Sequence, residues 1–131
     1  MVIDTSAILA ILLEEPETAH FIHLIGVDQF RLFSAVSFVE ASIVLSNRKG
    51  EAGERKLDEF LQRAKVQIIA VDTPQAETAR AAYRKFGKGI HPACLNFGDC
   101  FTYALAKTTK EPLLFKGNDF ALTDVQPASV D

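Results

Sequence analysis

Met1-Val2-Ile3-Asp4-Thr5-Ser6-Ala7-Ile8-Leu9-Ala10-Ile11-Leu12-Leu13-Glu14 opens the chain, and its reading decides the fold. Residues 1–3 form a short apolar run, expected as a first strand. Asp4, Thr5 and Ser6 carry side-chain oxygens that can accept the free N–H groups at a helix start, so a helix is expected over residues 7–14. A strand that passes directly into a helix begins a βα unit, and the pattern recurs downstream. Pro16 suits the first turn of a second helix over residues 17–25, which Gly26 would close. Residues 31–35 read as a second strand and residues 36–49 as a third helix. Leu57, Phe60, Leu61 and Ala64 share one face of a fourth helix. The β-branched run at 66–71 is a third strand. Asp72 or Thr73, with Pro74, then opens a fifth helix whose inner face holds Ala76, Ala79, Tyr83 and Phe86.

Residues 87–97 contain two glycines, a proline and no periodicity, and read as a loop. A helix follows over 98–107, then a fourth strand over 112–115, a break at Gly117-Asn118-Asp119 and a short last strand near 124–126. Short, almost wholly apolar strands alternating with helices predict an α/β fold with a parallel sheet covered on both faces. In such sheets ligands bind beyond the carboxyl ends of the strands, where strand order reverses. The residues expected there are the functional candidates.

Composition narrows the classes. The 131 residues suit one domain over 1–131, and 48% apolar with 24% charged residues is an ordinary globular balance. Such a chain buries roughly two-thirds of its unfolded surface and needs no staple. Cys94 and Cys100 match no zinc spacing and suit a reducing compartment. The longest apolar run, residues 7–13, falls far short of the roughly 18 residues of a membrane span. It also lacks the basic flank of a secretion signal, so no membrane association and a cytoplasmic location are expected. With 14 basic and 17 acidic residues the net charge is −3, so bulk charge would not attract nucleic acid. A local basic edge or a metal would have to do so.

Four carboxylates carry the chemistry. Asp4 directly follows the first strand, where it either caps the next helix or faces a ligand. Glu40 lies within an apolar stripe of Val36, Val39, Ile43 and Val44, and Phe38, Ala41 and Leu45 make the opposite side apolar too. The third helix is therefore expected to be buried almost all round. An ionised glutamate there needs a basic partner or a metal. Asp99 opens the sixth helix, where a carboxylate also gains from the helix dipole. Asp119 follows the fourth strand in a turn-forming segment. The predicted topology can bring all four to one edge of the sheet, where their negative charge would require protons or cations. Hard oxygen ligands favour Mg²⁺ or Mn²⁺. The hydroxyls of Thr5 and Ser6 could add a ligand or orient a bound water.

Four segments, Val2-Ile3-Asp4-Thr5-Ser6-Ala7, Ser37-Phe38-Val39-Glu40-Ala41, Asn96-Phe97-Gly98-Asp99-Cys100 and Leu114-Phe115-Lys116-Gly117-Asn118-Asp119-Phe120, resemble those of the PIN-domain ribonucleases, and within them the VapC toxins of toxin–antitoxin pairs. They occur in the family's order and cover essentially the whole chain. The resemblance implies a three-layer α/β/α sandwich on a parallel sheet of about five strands. It implies an acidic quartet of Asp4, Glu40, Asp99 and Asp119, with Ser6 as the hydroxyl residue beside the first aspartate. The implied activity is Mg²⁺- or Mn²⁺-dependent endonucleolytic cleavage of RNA. The implied partners are a second copy in a homodimer and a cognate VapB-like antitoxin. A metal held mainly by Asp4 and Asp99 would activate a water for in-line attack, leaving 5′-phosphate and 3′-hydroxyl ends. Glu40 and Asp119 would position that water or complete a second metal site.

Arg80, Arg84 and Lys88 recur every four residues and are either a basic rim that grips phosphates or a solvated face paired with Glu77. Thr5 and Asn118 are further candidates for substrate contact. His20, His23 and His91 lack the partners of a zinc motif. Ile8, Leu9, Ile11, Leu12 and Leu13 surround the first helix, and the surplus over what the sheet can cover suits a dimer or antitoxin surface. Two other functions fit parts of the pattern. A phosphotransfer enzyme of the haloacid dehalogenase type also places an aspartate after its first strand, but needs a second acid where Ser6 stands. A non-catalytic regulatory or interaction domain would keep the fold without metal, though all four acids are present.

Overall fold

The structure is a computed structural model and describes residues 1–129; the last two residues of the expected 1–131 domain lie outside it. The element order is β1 (Val2–Ile3), α1 (Thr5–Leu12), α2 (Thr18–Val27), β2 (Leu32–Ser34), α3 (Ala35–Lys49), α4 (Glu51–Arg63), β3 (Gln67–Ile69), α5 (Thr73–Phe86), α6 (Phe97–Thr109), β4 (Leu113–Leu114) and a 3₁₀ turn (Phe120–Leu122). The strands form one parallel sheet in the order β3-β2-β1-β4. The expected last strand is reduced to a single parallel bridge between Leu113 and Pro127, in which Leu113 N–H donates to Gln126 O and Ala128 N–H to Leu113 O.

Alternation along the strands divides the core between two faces. Ile3, Phe33 and Leu114 join residues of α1 to α4 in one apolar cluster, while Val2 and Leu113 join α5 and α6 in another. This is the expected three-layer α/β/α sandwich. The chain steps outward from β1 through β2 to β3, then crosses by α5 and α6 to β4 on the other side of β1. Strand order thus reverses beside β1, and the crevice lies beyond its carboxyl end, where Asp4 follows.

Two expectations about apolar surface are corrected. α3 is not buried all round: Ser37, Ala41 and Leu45 are its buried residues, while Val39 and Ile43 are 54% and 56% exposed. α1, α4, α6 and the sheet all pack on α3, but they leave Val39 and Ile43 open, with Phe97 of α6 lining the far side of the cavity beside them. Conversely, α1 has little surplus. Ile8 and Ile11 are buried, and Leu9, Leu12 and Leu13 are half-buried against the core beside α2.

Candidate active site

The register of β1 and β4 sets the site. Val2 N–H donates to Pro112 O and Asp4 N–H to Leu114 O, so the next donor of the ladder is Lys116 N–H. Its ladder acceptor would be Asp4 O, but the first turn of α1 already uses that carbonyl, which accepts from Ala7 and Ile8. Lys116 N–H instead donates to Ser6 Oγ at 2.9 Å. Asp4 is the N-cap of α1, with Oδ2 accepting from Ser6 N–H at 3.0 Å, and its residue is only 4% exposed. The capping reading is therefore correct for one oxygen, and the other accepts no hydrogen bond among the described residues.

Asp99 also serves as a cap. Asn96 and Asp99 form a capping box at the start of α6: Asn96 Oδ1 accepts from Asp99 N–H, and Asp99 Oδ2 accepts from Asn96 N–H. Glu40 lies half-buried on α3 and presses its carboxylate onto the first turn of α6. A Cβ added at Gly98 would stand 2.5 Å from Glu40 Oε2, so glycine is what lets the Glu40 carboxylate lie beside Asp99. Asp119 precedes the 3₁₀ turn, is exposed, and makes no side-chain cap.

Charge links the four. Burial pushes the Asp99 carboxyl up to about 6, opposed by the Asn96 N–H, and the charges of Asp4, Glu40 and Asp119 push it further. Among the described residues, none of the four acids has a lysine or arginine ion-pair partner. The basic partner considered for Glu40 is thus not seen. Among the same residues, no group of three or more His, Cys, Asp or Glu side chains is drawn close enough to enclose one ion. The donors still suit a hard divalent cation: they are carboxylate oxygens, they lack basic partners among the described residues, and burial with their mutual field pushes Asp99 toward its protonated form.

Buried hydroxyls join the three helices that bear the buried and half-buried acids. Thr5 on α1 donates to Ser37 O on α3 at 3.4 Å, and Ser37 Oγ lies 3.0 Å from Thr102 Oγ1 on α6. All three residues are at most 6% exposed. Thr5 is thus turned into the protein, which corrects its expected place among substrate contacts. Ser6 is committed to Lys116 as acceptor and keeps its own proton to donate. Asn118 is exposed beside Asp119.

Arg80 and Arg84 are exposed on α5, and no ion pair with Glu77 forms among the described residues. Arg80 and Lys88 border a cavity of about 540 Å³ floored by Tyr83, Phe97 and Phe101. Phe97 is 73% exposed and also lines a second cavity of about 620 Å³ against Val36, Val39, Glu40, Ile43 and Val44. His20 and His23 are exposed, and His91 Nδ1 accepts from Ala93 N–H within its loop.

Sequence reasoning missed the roles of Gly98, Ser37 and Thr102. The first had a signal, since glycine at the second residue of a helix needs a reason. The other two form a contact 65 residues apart and had none.

The PIN domain family model matches residues 1–126. Ribonuclease VapC of Mycolicibacterium smegmatis is 54% identical over 125 residues, covering 95% of this chain and 97% of its own. Ribonuclease VapC30 of Mycobacterium tuberculosis is 52% identical over 125 residues, covering 95% of each. Among solved structures, the chain is similar to Mycobacterium tuberculosis VapC20, described as a sarcin-ricin loop cleaving toxin, with a TM-score of 0.74 at 16% identity over 96% of this chain and 98% of that one. It is also similar to a Klebsiella pneumoniae toxin–antitoxin complex, with a TM-score of 0.70 at 18% identity over 92% and 89%. At such identities the structures speak for the fold, and the sequence relatives and family model speak for kinship. The chain belongs to the PIN-domain family, and within it to the VapC group.

Proposed function

We propose that the protein is a Mg²⁺- or Mn²⁺-dependent endoribonuclease and the toxin of a VapBC-type pair, acting in the cytoplasm. The observation that carries this reading is the Asp4, Glu40, Asp99 and Asp119 constellation, whose members lack basic partners and whose charges converge on Asp99. Its kinship with proteins named VapC ribonucleases supports RNA as substrate. A divalent cation, when bound, would neutralise phosphate charge and acidify a water for attack on the scissile phosphorus.

The residues divide the remaining work. Asp4 and Asp99 each hold one oxygen still by a helix-start N–H and offer the other as a ligand. Glu40, pressed on Gly98, and Asp119, on its exposed loop, are placed to orient water or hold a second cation. Hydrolysis with loss of the 3′ oxygen would leave 5′-phosphate and 3′-hydroxyl ends. Arg80, Arg84 and Asn118 are the proposed phosphate and substrate contacts outside the acids. The apolar surface expected on α1 is instead displayed by Val39, Ile43 and Phe97, which we assign to a second copy of the chain or to a VapB-like antitoxin segment.

The test is cleavage of RNA by purified wild type, Asp4→Ala and Asp99→Ala, with EDTA and Mn²⁺ add-back. The wild type should cut only with metal, and both variants should be folded and inert. Wild-type turnover in either variant would overturn the reading.

A further inference from the structure

The fourth acid differs from the other three in how it is held. Asp4 and Asp99 are fixed by caps and Glu40 by packing on Gly98, but the Asp119 side chain makes no cap, and Gly117 and Asn118 before it are exposed. Gly117 turns the chain at φ +97°, a backbone region that residues with a Cβ rarely adopt, so the course of the loop depends on how its two ends are tied. After Asp119 the tie is Phe120, 3% exposed, with its ring centroid 5.5 Å from that of Phe115. Before Gly117 the tie is Lys116.

Lys116 is fastened at both ends. Its N–H donates to Ser6 Oγ at 2.9 Å, extending the β1–β4 ladder one rung past the strands. Its ammonium lies 3.2 Å from Glu15 Oε1 and 3.4 Å from Glu17 Oε1, both on the connection between α1 and α2. Glu17 Oε1 is shut off from solvent and has no hydrogen-bond partner by strict geometry, so this ammonium is what balances it among the described residues. None of these three side chains has a role in the acidic constellation itself.

We propose that Lys116 is a positioning residue that, bracketed by Glu15 and Glu17, sets where the Gly117–Asp119 loop presents the Asp119 carboxylate. The inference rests on the metal-dependent reading of the four acids and deepens it. A tether and a bare charge predict opposite signs. Lys116→Met keeps the stem and the N–H and removes one positive charge near a cation site. If Lys116 acted only through its charge, that loss would tighten Mn²⁺ binding. If it acts as a tether, freeing Asp119 weakens binding by about tenfold, the scale of losses when a ligand's supporting partner is removed.

The experiment compares wild type, Lys116→Met and Lys116→Arg, each first checked by thermal melting. Calorimetry reads Mn²⁺ affinity, and hydrogen exchange in EDTA reads the amide of residue 116. Steady-state RNA cleavage separates kcat from KM. The tether predicts weaker Mn²⁺ binding, several-fold faster exchange at residue 116 and a lowered kcat at constant KM for Lys116→Met, with recovery in Lys116→Arg. Unchanged or tighter Mn²⁺ binding with unchanged exchange overturns it, as does a rise in KM alone, which would make Lys116 a phosphate contact. If the wild type takes up no Mn²⁺, the metal-dependent reading fails, while the exchange rates still decide the tether.

Discussion

Replacing Asp99 by asparagine should make the metal-free protein more stable while destroying its activity. The Asp99 carboxyl is raised from an ordinary 3.8 to about 6, first by burial and then by Asp4, Glu40 and Asp119. A folded-state pKa above the unfolded one means that the fold prefers the neutral acid. The associated stability is fully present below the unfolded value and is lost as pH rises through about 6. The full shift corresponds to roughly 3 kcal/mol, and allowing for solvent screening of this half-buried group leaves about 2 kcal/mol at about pH 7.5. The substituted amide retains an oxygen able to accept the Asn96 N–H, so the cap survives. In EDTA, Asp99→Asn should therefore melt about 5–10 °C above wild type at about pH 7.5, with the gap closing at about pH 4. Mn²⁺ should raise the wild type and not the variant. A variant of equal or lower stability at the higher pH, or a gap independent of pH, would refute the penalty that burial and the neighbouring acids place on the Asp99 charge.

Gly98→Ala should leave the melting temperature unchanged or raised, since alanine favours the helix and the Glu40 carboxylate can swing away from the new methyl. RNA cleavage should nevertheless fall by about tenfold or more, because Glu40 no longer lies against α6. Arg80→Ala with Arg84→Ala should weaken RNA binding and reduce the salt slope by about 0.7 for each phosphate no longer neutralised, read by fluorescence anisotropy across salt concentrations; an unchanged slope would make these arginines a solvated face. Thr102→Val preserves shape but leaves the buried Ser37 hydroxyl without its partner, and should cost about 1–3 kcal/mol in urea denaturation.

Much of this architecture was legible because it is local. The apolar run before Asp4, the helix that Asp99 opens and the Pro74 helix start each dictate their own backbone, and all are found as expected. The acids at Asp4 and Asp119 were legible because the strand-to-turn junctions fix their place in a parallel sheet. Coverage was not legible. Periodicity marked α3 as apolar on every side and α1 as overloaded, yet the pairing of α1 with α2 and the open Val39 side of α3 depend on tertiary packing. Nor could sequence foresee the competition for Asp4 O that hands Lys116 N–H to Ser6, since it arises only once β1 and β4 are in register. Thr5 was misplaced for the same reason: its hydroxyl finds Ser37 across 32 residues.

Whether the four acids act together on a divalent cation is decided most directly by calorimetric titration of Mn²⁺ into the metal-free wild type and into Asp4→Asn, Glu40→Gln, Asp99→Asn and Asp119→Asn. Saturable uptake by the wild type, abolished in Asp4→Asn and Asp99→Asn and weakened in Glu40→Gln and Asp119→Asn, is the predicted result. Uptake that is absent from the wild type, or that survives undiminished in all four variants, would contradict it.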